Sequence, residues 1–218
     1  MPATLPDFRV PSWKGFWVPY WKVEAALARM HDIAPEDVPA LRSRFGAMQR
    51  AGLLGSVNQP GKGRKLQYTP DLLHRAMLAF DLAQAGIAPG IIVPLVNDYW
   101  DSRLRAIFDK AEDAVMHPVV GNMNDVVLVL AGIALITEGT NSVPNINWTT
   151  VSRIPERIDL ALGGDGLPAR VLLVNLSGQL RKFHDALSHF HLLPDRSALA
   201  VAKGGKHTGR TAGRRRGK

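Results

Sequence analysis

The side chains best suited to bind a ligand are the basic ones between residues 38 and 70. This stretch has six Lys and Arg residues and no Asp or Glu. They are Arg42, Arg44, Arg50, Lys62, Arg64 and Lys65. Ammonium and guanidinium groups without neighbouring carboxylates pair readily with phosphate, and a guanidinium also matches the edge of a guanine base. The composition of this stretch therefore predicts a nucleic-acid partner.

A helix must position the first three of these cations. Its apolar residues recur at steps of three and four, the period of a helix with one buried face; they are Val38, Leu41, Phe45 and Met48. The opposite side carries Ser43, Ala47 and Arg50, with Arg42 and Arg44 on its flanks. A helix with a small and basic outer face fits the major groove of DNA. We therefore expect Arg42, Ser43, Arg44 and Arg50 to face that groove.

A glycine-rich hairpin must position the other three cations. Gly52 predicts the end of the helix, and residues 55–63 contain three glycines and Pro60 between two short extended runs. Such a hairpin, or wing, would bring Lys62, Arg64 and Lys65 to the phosphates beside the groove. With a helix at 21–30 before it, the order is helix, turn, helix and basic hairpin, as in a winged helix.

The composition of the chain excludes several classes of protein. The chain has 218 residues, 46% of them hydrophobic, which is enough for a substantial core. It contains no cysteine, which excludes disulfides, zinc–thiolate sites and thiol redox chemistry. The first thirty residues do not resemble a signal peptide, and the longest apolar run, 126–137, is too short to cross a bilayer as a helix. These features predict a soluble cytoplasmic protein without a membrane partner.

The net charge of +8 is concentrated at the C-terminal end. Residues 203–218 carry seven Lys and Arg and no acid, so the other 202 residues hold 20 basic and 19 acidic side chains. Within them, residues 18–86 have nine basic and six acidic residues, whereas residues 91–175 have six basic and ten acidic. A positive front and tail favour a nucleic-acid partner for both. The Gly, Lys and Arg composition after residue 201 predicts a disordered tail.

The second half of the chain predicts a linking helix and a small α/β module, so the fold class is α+β. Pro94 should divide the helical pattern after Gly86 into a short helix and a longer one near 97–116. The longer helix has an apolar stripe for a partner helix, composed of Leu104, Ile107, Phe108 and Ala111. The alternative is that this stripe packs on the chain's own C-terminal module. In that module we expect strands at 125–137 and 169–175, a possible third at 154–162, and a helix at 178–191.

Four short motifs resemble the MerR family of winged-helix regulators. They are RAGLL at 50–54, a segment from GR at 63–64 to YT at 68–69, DLL at 71–73, and LAQAGI at 82–87. The family ends its recognition helix with R-x-G-L-L and begins the helix after the wing with Y-T-x-x-D-L, where this chain has the shorter YTPDL at 68–72. The resemblance covers residues 20–97, and the aromatic pair usual before R-x-G-L-L is replaced by Ala47-Met48.

The resemblance implies a DNA-binding transcription regulator that acts as a homodimer on promoter DNA in the nucleoid and contacts RNA polymerase. A regulator of this type is expected to need no cofactor. With the composition and patterns above, the chain divides into five parts: an N-terminal arm at 1–19, the winged-helix domain at 20–97, a linking and dimerisation helix at 98–116, an α/β effector or interaction module at 117–201, and the basic tail at 202–218. The aromatic rings of residues 1–21 are expected to pack on the core, with base stacking or a minor-groove contact as the alternative; they are Trp13, Phe16, Trp17, Tyr20 and Trp21.

Other functions have weaker support in the sequence. His184, His189 and His191 with Asp185 lack the spacing of a metal motif, so we expect no metal site. An enzyme with its site in residues 117–200 would need a pocket with convergent polar groups, and no nucleophile motif is present. A DNA-packaging or recombination accessory protein of a mobile element could use the same winged helix. Footprinting separates the two DNA-binding classes, since a regulator protects a defined sequence next to a promoter.

Overall fold

The computed structural model describes residues 17–54, 67–131, 145–156 and 171–190. This part of the chain is a mixed α+β fold with six α-helices and two small antiparallel sheets. The helices are α1 (Tyr20–Met30), α2 (Val38–Arg50), α3 (Pro70–Gln84), α4 (Pro89–Tyr99), α5 (Arg105–Met116) and α6 (Leu176–His189). The strands are β1 (Val18–Pro19), β2 (Gln67–Tyr68), β3 (Val126–Ala131), β4 (Asn145–Thr150) and β5 (Val171–Asn175).

The boundaries of α2 follow from its sequence. A 3₁₀ turn at Pro35–Asp37 leads into the helix, which ends at Arg50. Gly52 then adopts a φ of 93°, and the Leu53 amide donates to the Met48 carbonyl at 3.0 Å. A side chain is strained at such a φ, which is why glycine stands there. The predicted end of this helix is confirmed.

A two-stranded sheet joins the N-terminal segment to the residues after the predicted wing. In it β1 pairs with β2, with Val18 opposite Tyr68 and Pro19 opposite Gln67. Helix α3 follows directly, and its N-cap Thr69 accepts a hydrogen bond from the Leu72 amide. The sequence predicted the extended run before α3 and the cap at Thr69. It did not predict the partner strand β1, because two residues are too few to form a recognisable strand pattern.

The break between α4 and α5 lies further along the chain than predicted. Helix α4 continues through Pro94, and the irregular part is a π-helical turn at Trp100–Leu104. The Trp100 indole donates to Asp71 Oδ1 at 2.8 Å, and the Arg75 guanidinium lies over its ring. Pro94 removes only one backbone hydrogen bond from α4, so the helix continues past it. The contacts of the Trp100 ring instead stabilise the wider π-helical turn.

The C-terminal sheet has the strand order β4-β3-β5, with both pairs antiparallel. The predicted strand at 169–175 is confirmed as β5, and β3 forms the start of the predicted run at 125–137. The proposed strand at 154–162 is wrong where the structure describes it, because residues 154–156 are helical. The third strand is β4, whose polar sequence NINWTT has no continuous apolar run. Asn175 caps α6 by accepting from the Gly178 amide at 2.8 Å.

The apolar stripe of α5 is part of the chain's own core. Leu104, Ile107, Phe108 and Ala111 are all at most 5% exposed in the single chain. Helix α5 packs against α6 and β3, and the Ser177 hydroxyl donates to the Ala111 carbonyl at 3.3 Å. The assignment of these four residues to a dimer surface is therefore corrected. The alternative, packing on the C-terminal module, is what the structure has.

A single hydrophobic core joins the predicted DNA-binding part of the chain to the C-terminal module. Helix α1 packs against α6, and Arg29 Nη2 lies 3.9 Å from Asp185 Oδ2 across that contact. The buried apolar cluster continues from Val18 in β1 to Leu187 in α6. Within the described residues, the helices of the predicted DNA-binding part are thus supported by the C-terminal module.

A buried ion pair ties this module together. Asp125, which is 2% exposed, receives two hydrogen bonds from Arg181 on α6, one of them from Nη1 to Oδ2 at 2.8 Å. The Asp125 carbonyl accepts from the Val151 amide at 2.9 Å, and the Asn175 amide approaches the carboxylate at 3.5 Å. One aspartate therefore links the start of β3, the end of β4, the cap of α6 and its second turn.

Candidate nucleic-acid interface

Helix α2 presents one buried and one exposed face, as its sequence predicted. Leu41, Phe45 and Met48 are buried, and Val38 packs against the core while partly exposed. The residues predicted to face DNA are all exposed; they are Arg42, Ser43, Arg44 and Arg50. The side chain of Arg50 lies back along the helix, with Nη1 3.5 Å from the position that a Cβ on Gly46 would occupy.

Three rings hold α2 in place. Phe45 stacks on Tyr20 of α1 with ring centroids 6.0 Å apart, and Tyr68 of β2 lies 6.3 Å from Phe45. The Gln49 amide donates to the Tyr68 hydroxyl, and burial raises the pKa of Tyr68 above its usual value. The helix is thus fixed between α1 and the strand that follows the predicted wing.

The C-terminal end of α2 is held from another direction. Leu53 and Leu54 are buried, and the Asn97 side chain in α4 donates to the Gly52 carbonyl at 2.7 Å. The RAGLL motif therefore anchors the helix through its leucines and leaves Arg50 exposed. Because its C-terminal end and its buried face are both held, the exposed side of α2 is a rigid surface.

Arg42 has an intramolecular partner that sequence reasoning missed. Its Nε and Nη2 lie 2.8 Å and 2.6 Å from Oε1 of Glu24 in α1. The hydrogen bond and the charge of this carboxylate raise the pKa of Arg42 above its usual value. Glu24 is 18 residues away in sequence, and only the packing of α1 against α2 brings the two together. The amphipathic pattern of α1 was the available signal, because it could have placed Glu24 on the buried side.

The predicted wing cations lie outside the described residues. Lys62, Arg64 and Lys65 belong to residues 55–66, and the basic tail to residues 191–218. The structure therefore places four of the seven predicted DNA-binding residues, all on α2. The assignments of the other three stay predictions.

Two exposed tryptophans lie at the N-terminal end of α1. Trp17 is 51% exposed and Trp21 is 62% exposed, and Lys22 Nζ lies 5.2 Å from the centre of the Trp21 ring. The expected packing of the rings in residues 1–21 on the core holds for the partly buried Tyr20 and is wrong for Trp17 and Trp21. Trp13 and Phe16 lie outside the described residues.

The described residues contain no group of three or more His, Cys, Asp or Glu side chains arranged to hold a metal ion. None of the described helices combines the length and the apolar character needed to span a membrane. Comparison with models of known protein families and with curated proteins finds no match.

Proposed function

We propose that the chain is a sequence-specific DNA-binding regulator of winged-helix type, similar in its first half to the MerR family. The observation that carries this proposal is the exposed face of α2. It presents Arg42, Ser43, Arg44 and Arg50, while its opposite face is buried. A rigid helix with small residues between arginines has the shape and the charge to enter a major groove.

The elements around α2 support the same proposal. Two helices are joined through the turn at Pro35–Asp37, and β2 follows the glycine-rich segment at 55–66. Strand β1 pairs with β2 beside α2, which gives the predicted wing a fixed base. In this proposal Lys62, Arg64 and Lys65 bind phosphates from the wing, and the basic tail adds sequence-independent attraction.

The proposed partners are promoter DNA, a second copy of the chain and RNA polymerase. A single winged helix reads few bases, so proteins of this type generally bind as pairs. The α5 stripe is buried within one chain and does not serve as the pairing surface. Nucleoid localisation would follow from DNA binding.

The first prediction separates reading of bases from anchoring on phosphate. Arg44→Ala is expected to lower the affinity for a preferred site by about 1–3 kcal/mol while leaving binding to scrambled DNA nearly unchanged. Arg64→Ala should lower both affinities together, because a phosphate contact carries no sequence information. The measurement is fluorescence anisotropy with both duplexes at one fixed salt concentration.

Arg103→Ala is the matched control, since Arg103 is an exposed arginine on the π-helical turn and not on α2. It should leave both affinities at the wild-type value. If Arg44→Ala reduces binding to the two duplexes equally, α2 does not read sequence and the proposed recognition is wrong.

The second prediction concerns the tail. Deletion of residues 203–218 removes seven cations and should weaken binding to all duplexes alike. It should also make the plot of log affinity against log salt shallower, because fewer counterions are released. An unchanged slope would show that the tail does not contact phosphate.

A further inference from the structure

The ion pair between Glu24 and Arg42 is unequally exposed. The Glu24 side chain is 6% exposed and the Arg42 side chain is 63% exposed, although both belong to one salt bridge. A buried carboxylate therefore lies directly beneath an arginine on the proposed DNA-binding face. Replacement of such a pair by apolar residues is often neutral or stabilising, whereas loss of one partner leaves the buried carboxylate uncompensated.

The geometry of the pair leaves part of the guanidinium available. A single carboxylate oxygen, Glu24 Oε1, accepts from Nε at 2.8 Å and approaches Nη2 at 2.6 Å. A guanidinium has five N–H donors in a rigid plane. The two bonded donors share one edge of that plane, so the two hydrogens of Nη1 and the second hydrogen of Nη2 remain for another acceptor. An acceptor with two oxygens, such as a phosphate, suits this remaining edge.

Arg42 differs from Arg44, the other arginine proposed to contact bases, in its direction on the helix and in its bond to α1. Successive residues of an α-helix are rotated by about 100°, so Arg42 and Arg44 point to directions about 200° apart. Both are exposed and lie on opposite flanks of Ser43. An arginine on either flank is long enough to reach a base edge or the neighbouring phosphate, and of these two arginines Arg42 is the one bonded to another helix. The flank that carries Arg42 is also the one bonded to α1.

We infer that Glu24 is a positioning residue that holds the Arg42 guanidinium in a fixed orientation, so that its free edge binds one phosphate of the DNA backbone. The inference rests on the proposed function and deepens it: Arg42 anchors the helix, and base reading falls to Arg44. Because the carboxylate already restricts the rotamers of Arg42, DNA binding costs less side-chain entropy than it would for a free arginine. The carboxylate also keeps the guanidinium from turning into the groove.

The test uses the full chain with Arg42→Ala, Glu24→Gln and the double variant. Each is measured by anisotropy against a preferred and a scrambled duplex over a series of salt concentrations, with Tm recorded in parallel. Arg42→Ala should weaken binding to both duplexes about tenfold, as expected for one charge-assisted contact, and lower the salt slope by about 0.9. Glu24→Gln should weaken both about threefold, since a neutral amide oxygen holds the guanidinium less firmly than a carboxylate does.

The double variant decides whether Glu24 acts through Arg42. Adding Glu24→Gln to Arg42→Ala should cause no further loss of affinity. An equal threefold loss in both backgrounds would overturn the inference, as would a Glu24→Gln protein that has a lower Tm but wild-type affinity. In the latter case the pair is only a structural link between α1 and α2.

Arg42→Lys leaves Glu24 in place and makes the test independent of whether Glu24→Gln folds. Lysine keeps the charge but not the planar fork, so we expect the wild-type salt slope with a lower affinity. Wild-type affinity for Arg42→Lys would overturn the fixed-fork arrangement. If Arg44→Ala loses discrimination while every Arg42 variant binds as the wild type, only this inference fails. If the wild type binds no duplex at low salt, the inference and the proposed function fail together.

Discussion

Arg181→Met is expected to lower the free energy of unfolding by about 3–5 kcal/mol. The variant leaves the Asp125 carboxylate, which is 2% exposed, with the Asn175 amide at 3.5 Å as its remaining side-chain partner among the described residues. An uncompensated buried charge is more costly than the loss of the pair as a whole. Chemical denaturation followed by circular dichroism measures the effect.

Arg153→Met is the matched control. Arg153 also pairs with a carboxylate, Glu156, but both side chains are more than 60% exposed. Exposed pairs contribute about 0–1 kcal/mol, so this variant should remain close to the wild type. Equal losses for the two arginine variants would contradict the assigned role of Asp125. Restoration of stability by Asp125→Asn in the Arg181→Met background would support it.

The second large effect is a dependence of stability on pH that originates at Asp81. This carboxyl in α3 is 8% exposed, and its Oδ1 lies 3.2 Å from Nε2 of His31 at the end of α1. Burial raises the pKa of Asp81 to about 7, although the positive charge of Lys182 opposes this. Burial also lowers the pKa of His31, and Lys182 adds to that effect. Below about pH 7 burial therefore favours a protonated Asp81, and it also opposes a charge on His31.

The sign of the effect follows from the raised pKa of Asp81. Between about pH 4 and 7 the unfolded chain has released this proton and the folded chain retains it, so stability falls as pH rises through that window. His31 acts in the opposite direction, because its lowered pKa makes the fold less stable as pH falls below its usual value of 6.5.

Asp81→Asn removes the ionisation that burial opposes. We expect the variant to gain stability over the wild type at pH 8, by at most about 4 kcal/mol at about 1.4 kcal/mol per pKa unit, and to gain much less at pH 4.5. Urea denaturation at the two pH values measures the difference. Asp185→Asn, in which the altered side chain is 77% exposed, should show no such dependence. A gain for Asp81→Asn that is the same at both pH values would rule out ionisation of Asp81 as the cause.

The elements that the sequence predicted well are those determined by neighbours along the chain. The spacing of Leu41, Phe45 and Met48 identified the buried face of α2, and all three are buried. Gly52 and Thr69 marked helix ends through backbone conformation and capping, which need no distant partner. The exposed arginines of the candidate interface followed from the same helical period.

The predictions that failed depend on contacts between distant segments. A stripe such as Ile107 and Phe108 shows that one helix face is covered but not whether a second chain or the same chain covers it. Strand β4 was missed because its pairing with β3, and not an apolar run, makes it a strand. The bond from Arg42 to Glu24 likewise needs the packing of α1 on α2 before it can be seen.

The most direct test of the proposed recognition of DNA is selection of bound duplexes by the full chain from a random DNA pool. We predict that the bound fraction converges on one short motif, and that the Arg44→Ala protein loses preference at a defined position within it. A pool that stays random after repeated selection, or no retention of DNA even at low salt, would contradict the proposed function.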